Sequence, residues 1–172
     1  LLIMDCTASL QMRGMARAAA DITSNSATEL LGANADGQLV LSLDLPLVRE
    51  PYQSIVPLVG ESIASIFEHY LEQSEQQPSR LFLSAGSTAA ACLFLQKLPQ
   101  ADQRDADGWN RVCQLAASVK PEELQTLDAA TLLTRLFHEE TVRLYAPRTV
   151  VYHCPEDREK IRNMILSLGR EE

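Results

Sequence analysis

Thiols, imidazoles and carboxylates are the side chains of this chain that could do chemistry. There are 4 cysteines, Cys6, Cys92, Cys113 and Cys154, and 3 histidines, His69, His138 and His153. No two cysteines stand in a C-x-C or C-x-x-C spacing, so no sequence neighbours form half a zinc site or a redox dithiol. Cys6, Cys92 and Cys113 lie within apolar stretches, which predicts small buried hydrophobes. Cys154 differs. It follows His153 and precedes Pro155 at the start of a helical pattern. A helix N-terminus lowers a thiol pKa, and the thiolate is both nucleophile and metal ligand. Cys154 is therefore the candidate metal or redox residue. A structural zinc needs about four ligands. His153 and Cys154 supply two adjacent ones, with Glu156 as a weak third, so a complete site needs ligands from beyond Glu172.

Catalytic patterns are lacking. There is no Gly-rich phosphate loop, no H-E-x-x-H and no G-x-S-x-G, so no catalytic or cofactor-binding residue is assigned. An enzyme using Cys154 as nucleophile and His153 as base is one alternative, but adjacent side chains rarely aim at each other. A non-catalytic, dimeric interaction domain is another. His138-Glu139-Glu140 closes a helical pattern, where the dipole favours a histidine and both acids are expected to be solvated. His69, between Glu68 and Tyr70, reads as a surface residue.

The bulk composition sets the frame for these residues. The 172 residues are 46% hydrophobic and 22% charged, a globular profile. A net charge of -8 and a pI near 4.9 make phosphate backbones and anionic membranes poor partners. No apolar run reaches the roughly 18 residues of a membrane span. Leu1-Leu2-Ile3-Met4 has no basic segment before it and reads as a strand that earlier residues should precede, not as a signal peptide. The thiols then fit a reducing cytoplasm better than a disulfide framework.

Strands and few helices alternate through the first hundred residues. Met12, Gly14 and Ala16 alternate with Arg13, Met15 and Arg17, as in a strand with one wet face. Leu39, Leu41, Leu43 and Leu45 repeat with period two up to Pro46. Ser26-Ala27-Thr28-Glu29 is a capping box ahead of Leu30-Leu31, with Gly32 as its stop. Tyr52 to Leu58 is a further strand. Glu61 to Ser74 is a helix with Ile63, Ile66, Phe67, Tyr70 and Leu71 on one stripe. Arg80 to Ser84 and Ala91 to Leu98 flank Gly86-Ser87 as a hairpin. This pattern predicts an α+β fold with a mixed or antiparallel sheet.

Beyond Pro99 the signal changes. Gln100 to Gly108 is polar and reads as an exposed connection. Trp109, Val112, Cys113 and Ala116 share one face of a helix ending near Lys120. Pro121-Glu122-Glu123 is a good first turn. Asp128 caps a third helix, whose apolar face is Leu132, Leu133, Leu136 and Phe137. Val142 to Tyr145 and Val150 to Tyr152 read as extended. Pro155 and Gly169 frame a last helix carrying Ile161, Met164, Ile165 and Leu168.

The order of these pieces resembles the Hsp33 family of bacterial holdase chaperones. The resemblance is carried by Gln11-Met12-Arg13-Gly14-Met15-Ala16, Tyr52-Gln53, Tyr70 through Gln76, Pro78-Ser79-Arg80-Leu81-Phe82, Leu93-Phe94-Leu95-Gln96 with Pro99, and Leu136 to Glu172. Three positions depart from it. Ser54 replaces a glycine, the Gly86-Ser87 turn is short, and Glu156 stands where the family's Cys-x-Cys motif has its second cysteine. A cysteine pair of the family also lies past the stretch like Ser167 to Glu172.

The resemblance implies a chaperone core domain in residues 1–99, a helical linker with an extended end in 100–152, and the start of a zinc and redox switch domain in 153–172. It implies ATP-independent binding of unfolding client proteins, zinc as cofactor, and no enzymatic activity; it leaves open a homodimer. Short amphipathic helices depend on tertiary packing. If they undock, Trp109, Val112, Leu132, Leu133, Leu136 and Phe137 become client-binding surface. Glu156 cannot form a disulfide, so the switch is expected to be weakened or absent.

Overall fold

The computed structural model describes residues 1–17, 27–31, 37–44 and 52–154. The chain forms two compact units, one of Leu1–Ala19 with Ala146–Glu172 and one of Ala20–Tyr145.

In the first unit, β1 (Leu2–Cys6) and β2 (Gln11–Ala16) pair antiparallel, with Asp5 opposite Arg13 and Met4 opposite Gly14. The turn between them passes through Leu10, whose φ of 61° is left-handed. Gly14 lies at a close approach of the two strands. A Cβ there would meet the Ile3 carbonyl oxygen at 3.1 Å and the Met4 side chain at 3.3 Å. Both faces of this pair are largely open, so the expected dry face is not formed by the described residues. The short β7 (Val151–Tyr152) adds in parallel to β2, through Val151 N–H to Leu10 O and His153 N–H to Met12 O, both at 2.9 Å.

The second unit holds everything else. α1 (Ala27–Leu31) falls on the predicted short helix, although Ser26 and Gly32 lie outside the described residues. β3 (Gln38–Leu43) pairs antiparallel with β4 (Tyr52–Pro57), with Leu39 and Leu41 half-buried. The rest of that predicted strand, to Leu45 and Pro46, lies outside the described residues.

α2 (Ile63–Glu75) begins at a reciprocal cap. Ser62 Oγ accepts from Ser65 N–H at 3.1 Å, and Ser65 Oγ accepts from Ser62 N–H at 3.0 Å. Gly60, at φ 130°, precedes it because a Cβ there would lie 2.5 Å from Ser65 Oγ. The predicted stripe is real in its centre. Ile66 and Tyr70 are buried and Phe67 and Leu71 half-buried, while Ile63 at the start stays exposed. α2 packs on β5 (Ser79–Ala85) and touches β4. It lies along the β5 edge, where Glu68 Oε1 accepts from Leu81 N–H at 2.7 Å and Oε2 pairs with Arg80 at 3.1 Å. A carboxylate on an edge N–H removes a free strand-pairing group.

β5 and β6 (Ala90–Gln96) form the predicted hairpin, closed by Gly86 N–H to Ala89 O at 2.8 Å. Then come α3 (Ala101–Arg104), α4 (Gly108–Ala116), α5 (Pro121–Thr126) and α6 (Ala129–Leu136). The polar stretch after Pro99 is thus not wholly irregular. Lys97 Nζ to Asp102 at 2.6 Å and the Asp105 contacts to Arg111 hold a one-turn helix there. Residues 141–150, expected to be partly extended strand, form no regular element. The final predicted helix, Pro155 to Gly169, lies outside the described residues. The architecture is α+β with antiparallel pairs dominant, as the sequence pattern predicts.

Candidate functional site

The candidate client-binding residues lie in α4 and α6 or at the end of α6, and the structure brings most of them to one core. Helical spacing puts Trp109, Val112 and Ala116 on one stripe of α4, and Leu132, Leu133 and Leu136 on one stripe of α6. Phe137 is the C-terminal cap residue of α6. Leu132, Leu136, Phe137 and Ala116 are buried together with Leu124 of α5 and Leu93 of β6. Val112 and Leu133 pack against this cluster half-buried, as do Phe82, Ala91 and Leu95 of the hairpin. Trp109 is half-buried and lines an adjoining cleft with Leu95 and Val112.

Each large apolar side chain buried in this cluster is worth about 1.5–3 kcal/mol relative to exposure. Of the six buried members, Leu93 alone comes from the hairpin and the others come from the helices or their ends. Leu124 was absent from the predicted surface. It is the one apolar side chain besides Pro121 in Pro121–Thr126, which is the signal that marks it.

Local chemistry fixes the helices. Pro121 opens α5, and Glu123 Oε2 accepts from Lys120 N–H at 3.1 Å. The same Glu123 pairs through Oε1 with Arg135 of α6 at 2.7 Å, so one carboxylate caps one helix and holds the next. Asp128 caps α6, accepting from Thr131 N–H at 3.0 Å and Thr131 Oγ1 at 2.6 Å. These bonds, the hydroxyl first, hold its carboxyl below the usual value. Gln125 of α5 donates to Ser84 of β5 at 2.5 Å, pinning the helices to the hairpin by a polar contact.

Glu140 corrects one expectation. Glu139 is solvated, but Glu140 accepts two bonds from Arg111 of α4. That contact is the main reason its carboxyl is held low, and the Arg111 hydrogen bond does the same for Asp105. Arg111 is itself pushed up by the hydrogen bonds it donates to Glu140 and Asp105. His138 lies just past α6 and is exposed, whereas His69, expected at the surface, is half-buried on α2.

The cysteines correct another. Cys6 and Cys92 are exposed and Cys113 is half-buried, so the buried environments inferred from apolar neighbours are not present. Cys92 alternates with Leu93 on β6, and Leu93 takes the covered side. Partial burial still pushes the Cys92 and Cys113 thiols up, away from thiolate.

Cys154 and His153 follow β7 and are both exposed. Glu156 lies outside the described residues. Among the described residues no group of three or more His, Cys, Asp or Glu side chains is placed to hold a metal ion. Two adjacent exposed donors do not make a zinc site. Among the described residues no helix is long and apolar enough to cross a membrane.

The sequence model of the family described as "Hsp33 protein" matches residues 1–172. The chain belongs to the Hsp33 family. Among Hsp33 relatives, the 33 kDa chaperonin of Methylobacillus flagellatus is 39% identical over 173 residues, covering 100% of this chain and 58% of the relative. That of Pseudomonas aeruginosa is 38% identical over 181 residues, covering 99% of this chain and 58% of the relative. The chain therefore spans a little over half the length of these Hsp33 proteins. The crystal structure of the 33 kDa chaperonin from Thermotoga maritima shares the fold. Its TM-score is 0.71 at 22% identity, covering 96% of this chain and 59% of that one.

Proposed function

We propose that this chain belongs to an ATP-independent holdase chaperone, a binding protein and not an enzyme. Family membership and relatives named chaperonins support the chaperone class. One structural observation carries the mechanism. The helices α4, α5 and α6 bury their apolar faces against a single hairpin and against one another. Each is short, the longest being Gly108–Ala116, so each owes its stability to that packing and not to its own propensity. Undocking exposes Leu132, Leu136, Phe137 and Leu124 with Val112, Leu133 and Trp109 as a contiguous apolar surface. Such a surface binds the apolar segments that unfolding proteins expose. Binding needs no catalytic group.

The redox switch is weakened in this member. The motif position held by Glu156 cannot form a disulfide, so Cys154 lacks the nearby thiol that a Cys-x-Cys motif would supply. The test is direct. Zinc content of the full-length protein and light scattering of an aggregating client are measured with and without peroxide. We expect client protection under unfolding stress, accompanied by faster amide exchange in α4–α6 than in α2 and β5. Helices that stay as protected as the core in every condition that yields protection would refute the mechanism. One tightly held zinc per chain with peroxide-dependent protection would refute the weakened switch.

A further inference from the structure

The cleft between the end of β6 and α4 is open to solvent while α4–α6 are still docked. It encloses about 420 Å³. Leu95, Leu98, Pro99, Trp109 and Val112 form its apolar wall, and Arg104 stands on its lining. Leu98 is 70% exposed there, an aliphatic side chain that the described residues leave uncovered. The other charges on the lining are already engaged. Lys97 donates to Asp102 at 2.6 Å, and Asp105 accepts from Arg111 at 2.7 Å. Arg104 has no ion pair among the described residues. In a chain of net charge -8 it leaves this cleft with an uncommitted positive charge beside an apolar wall.

We propose that this cleft docks a short polypeptide segment in which a bulky apolar side chain stands beside an acidic one. The apolar side chain fills the space over Trp109 and Leu98, and the carboxylate pairs with Arg104. The proposal rests on the holdase reading for the nature of the occupant. It departs from that reading in timing, because the site exists while α4–α6 are still docked. An unfolding protein is thereby held at one point before the larger surface opens. An open cleft of this size gives weak, fast binding, suited to a first contact.

Trp109 is the one tryptophan of these 172 residues, and its indole N–H resonance, assigned by its loss in Trp109→Phe, reports the cleft. Acetyl-Leu-Phe-Asp-amide is titrated into the unstressed full-length protein labelled with ¹⁵N. We expect a saturable shift of the indole resonance. Arg104→Glu should weaken binding about three- to fivefold and reverse the preference in favour of acetyl-Leu-Phe-Lys-amide. Leu98→Glu should abolish the shift. Both residues are exposed, so neither change removes a core contact. A wild-type protein giving no saturable shift, or an Arg104→Glu protein with unchanged preference, overturns the proposal. Client protection that persists without peptide binding sinks the cleft alone. Peptide binding without client protection under any stress sinks the holdase reading and leaves the cleft standing.

Discussion

Arg111 of α4 grips Glu140, 29 residues later in sequence, through two bonds: Nε to Oε1 at 2.5 Å and Nη2 to Oε2 at 3.2 Å. The same guanidinium donates to Asp105 at 2.7 Å. It therefore ties the first turns of α4 both to the turn before it and to the point where the chain leaves α6. Apolar packing holds these helices on the hairpin, and this clasp sets where the helical segment closes on itself.

The clasp makes stability depend on acid. Arg111 holds the Glu140 and Asp105 carboxyls below their ordinary values, so their contribution is complete above the unfolded values and is lost as pH falls through the folded ones. Stabilisation from the clasp is thus full at neutral pH and fades below the ordinary glutamate value of 4.5. Arg111→Met should lower the melting temperature by a few degrees at neutral pH, a small effect because the groups are accessible to water and salt. The difference from wild type should shrink towards the acid end. A difference that stays constant across the whole pH range in thermal melts would contradict this assignment.

Leu136 is 5% exposed at the centre of the buried cluster. Leu136→Ala should cost about 2–5 kcal/mol by lost burial plus the cavity left behind. Because the loss falls on the docking of α6, amide exchange should accelerate in α4–α6 before it does in α2. On the holdase reading, the same variant should protect a client at milder stress than wild type. Hydrogen exchange and a light-scattering assay read the two outcomes.

Tyr70 is 2% exposed, and its hydroxyl finds no hydrogen-bond partner among the described residues. Burying a hydroxyl unpaired is unfavourable, so removing it relieves a penalty and leaves the ring packing intact. Tyr70→Phe should be neutral or stabilise by about 1 kcal/mol in chemical denaturation. A clear loss of stability would mean that the hydroxyl is bonded.

Cys154 separates a binding protein from a thiol enzyme. Cys154→Ser should leave client protection largely unchanged in the full-length protein, measured as suppressed light scattering. Protection falling by about tenfold or more would give this thiol a necessary role.

Much of the fold was legible in the sequence, because it rests on local chemistry. Asp128 and Pro121 mark real helix starts, Gly86-Ser87 marks a real hairpin turn, and the stripe on α2 is buried at Ile66 and Tyr70. Gly14 stands where one backbone approaches another, as its place in a strand suggested. The apolar stripes of α4 and α6 were legible as well, since periods of three and four mark such a stripe without any knowledge of its partner.

The sequence by itself determined which faces are apolar and where most of the elements begin and turn. Tertiary structure decided what covers each face. An apolar neighbourhood in sequence suggested burial for Cys6, Cys92 and Cys113, but burial depends on the packing of distant elements, and two of these thiols lie open. Glu140 read as solvated because its partner Arg111 sits on another helix. Leu124 joined the core because α5 lies across the β5–β6 hairpin. The physical reason is the same each time. Periodicity and caps act over a few residues, whereas burial and ion pairing are settled between residues that only folding brings together.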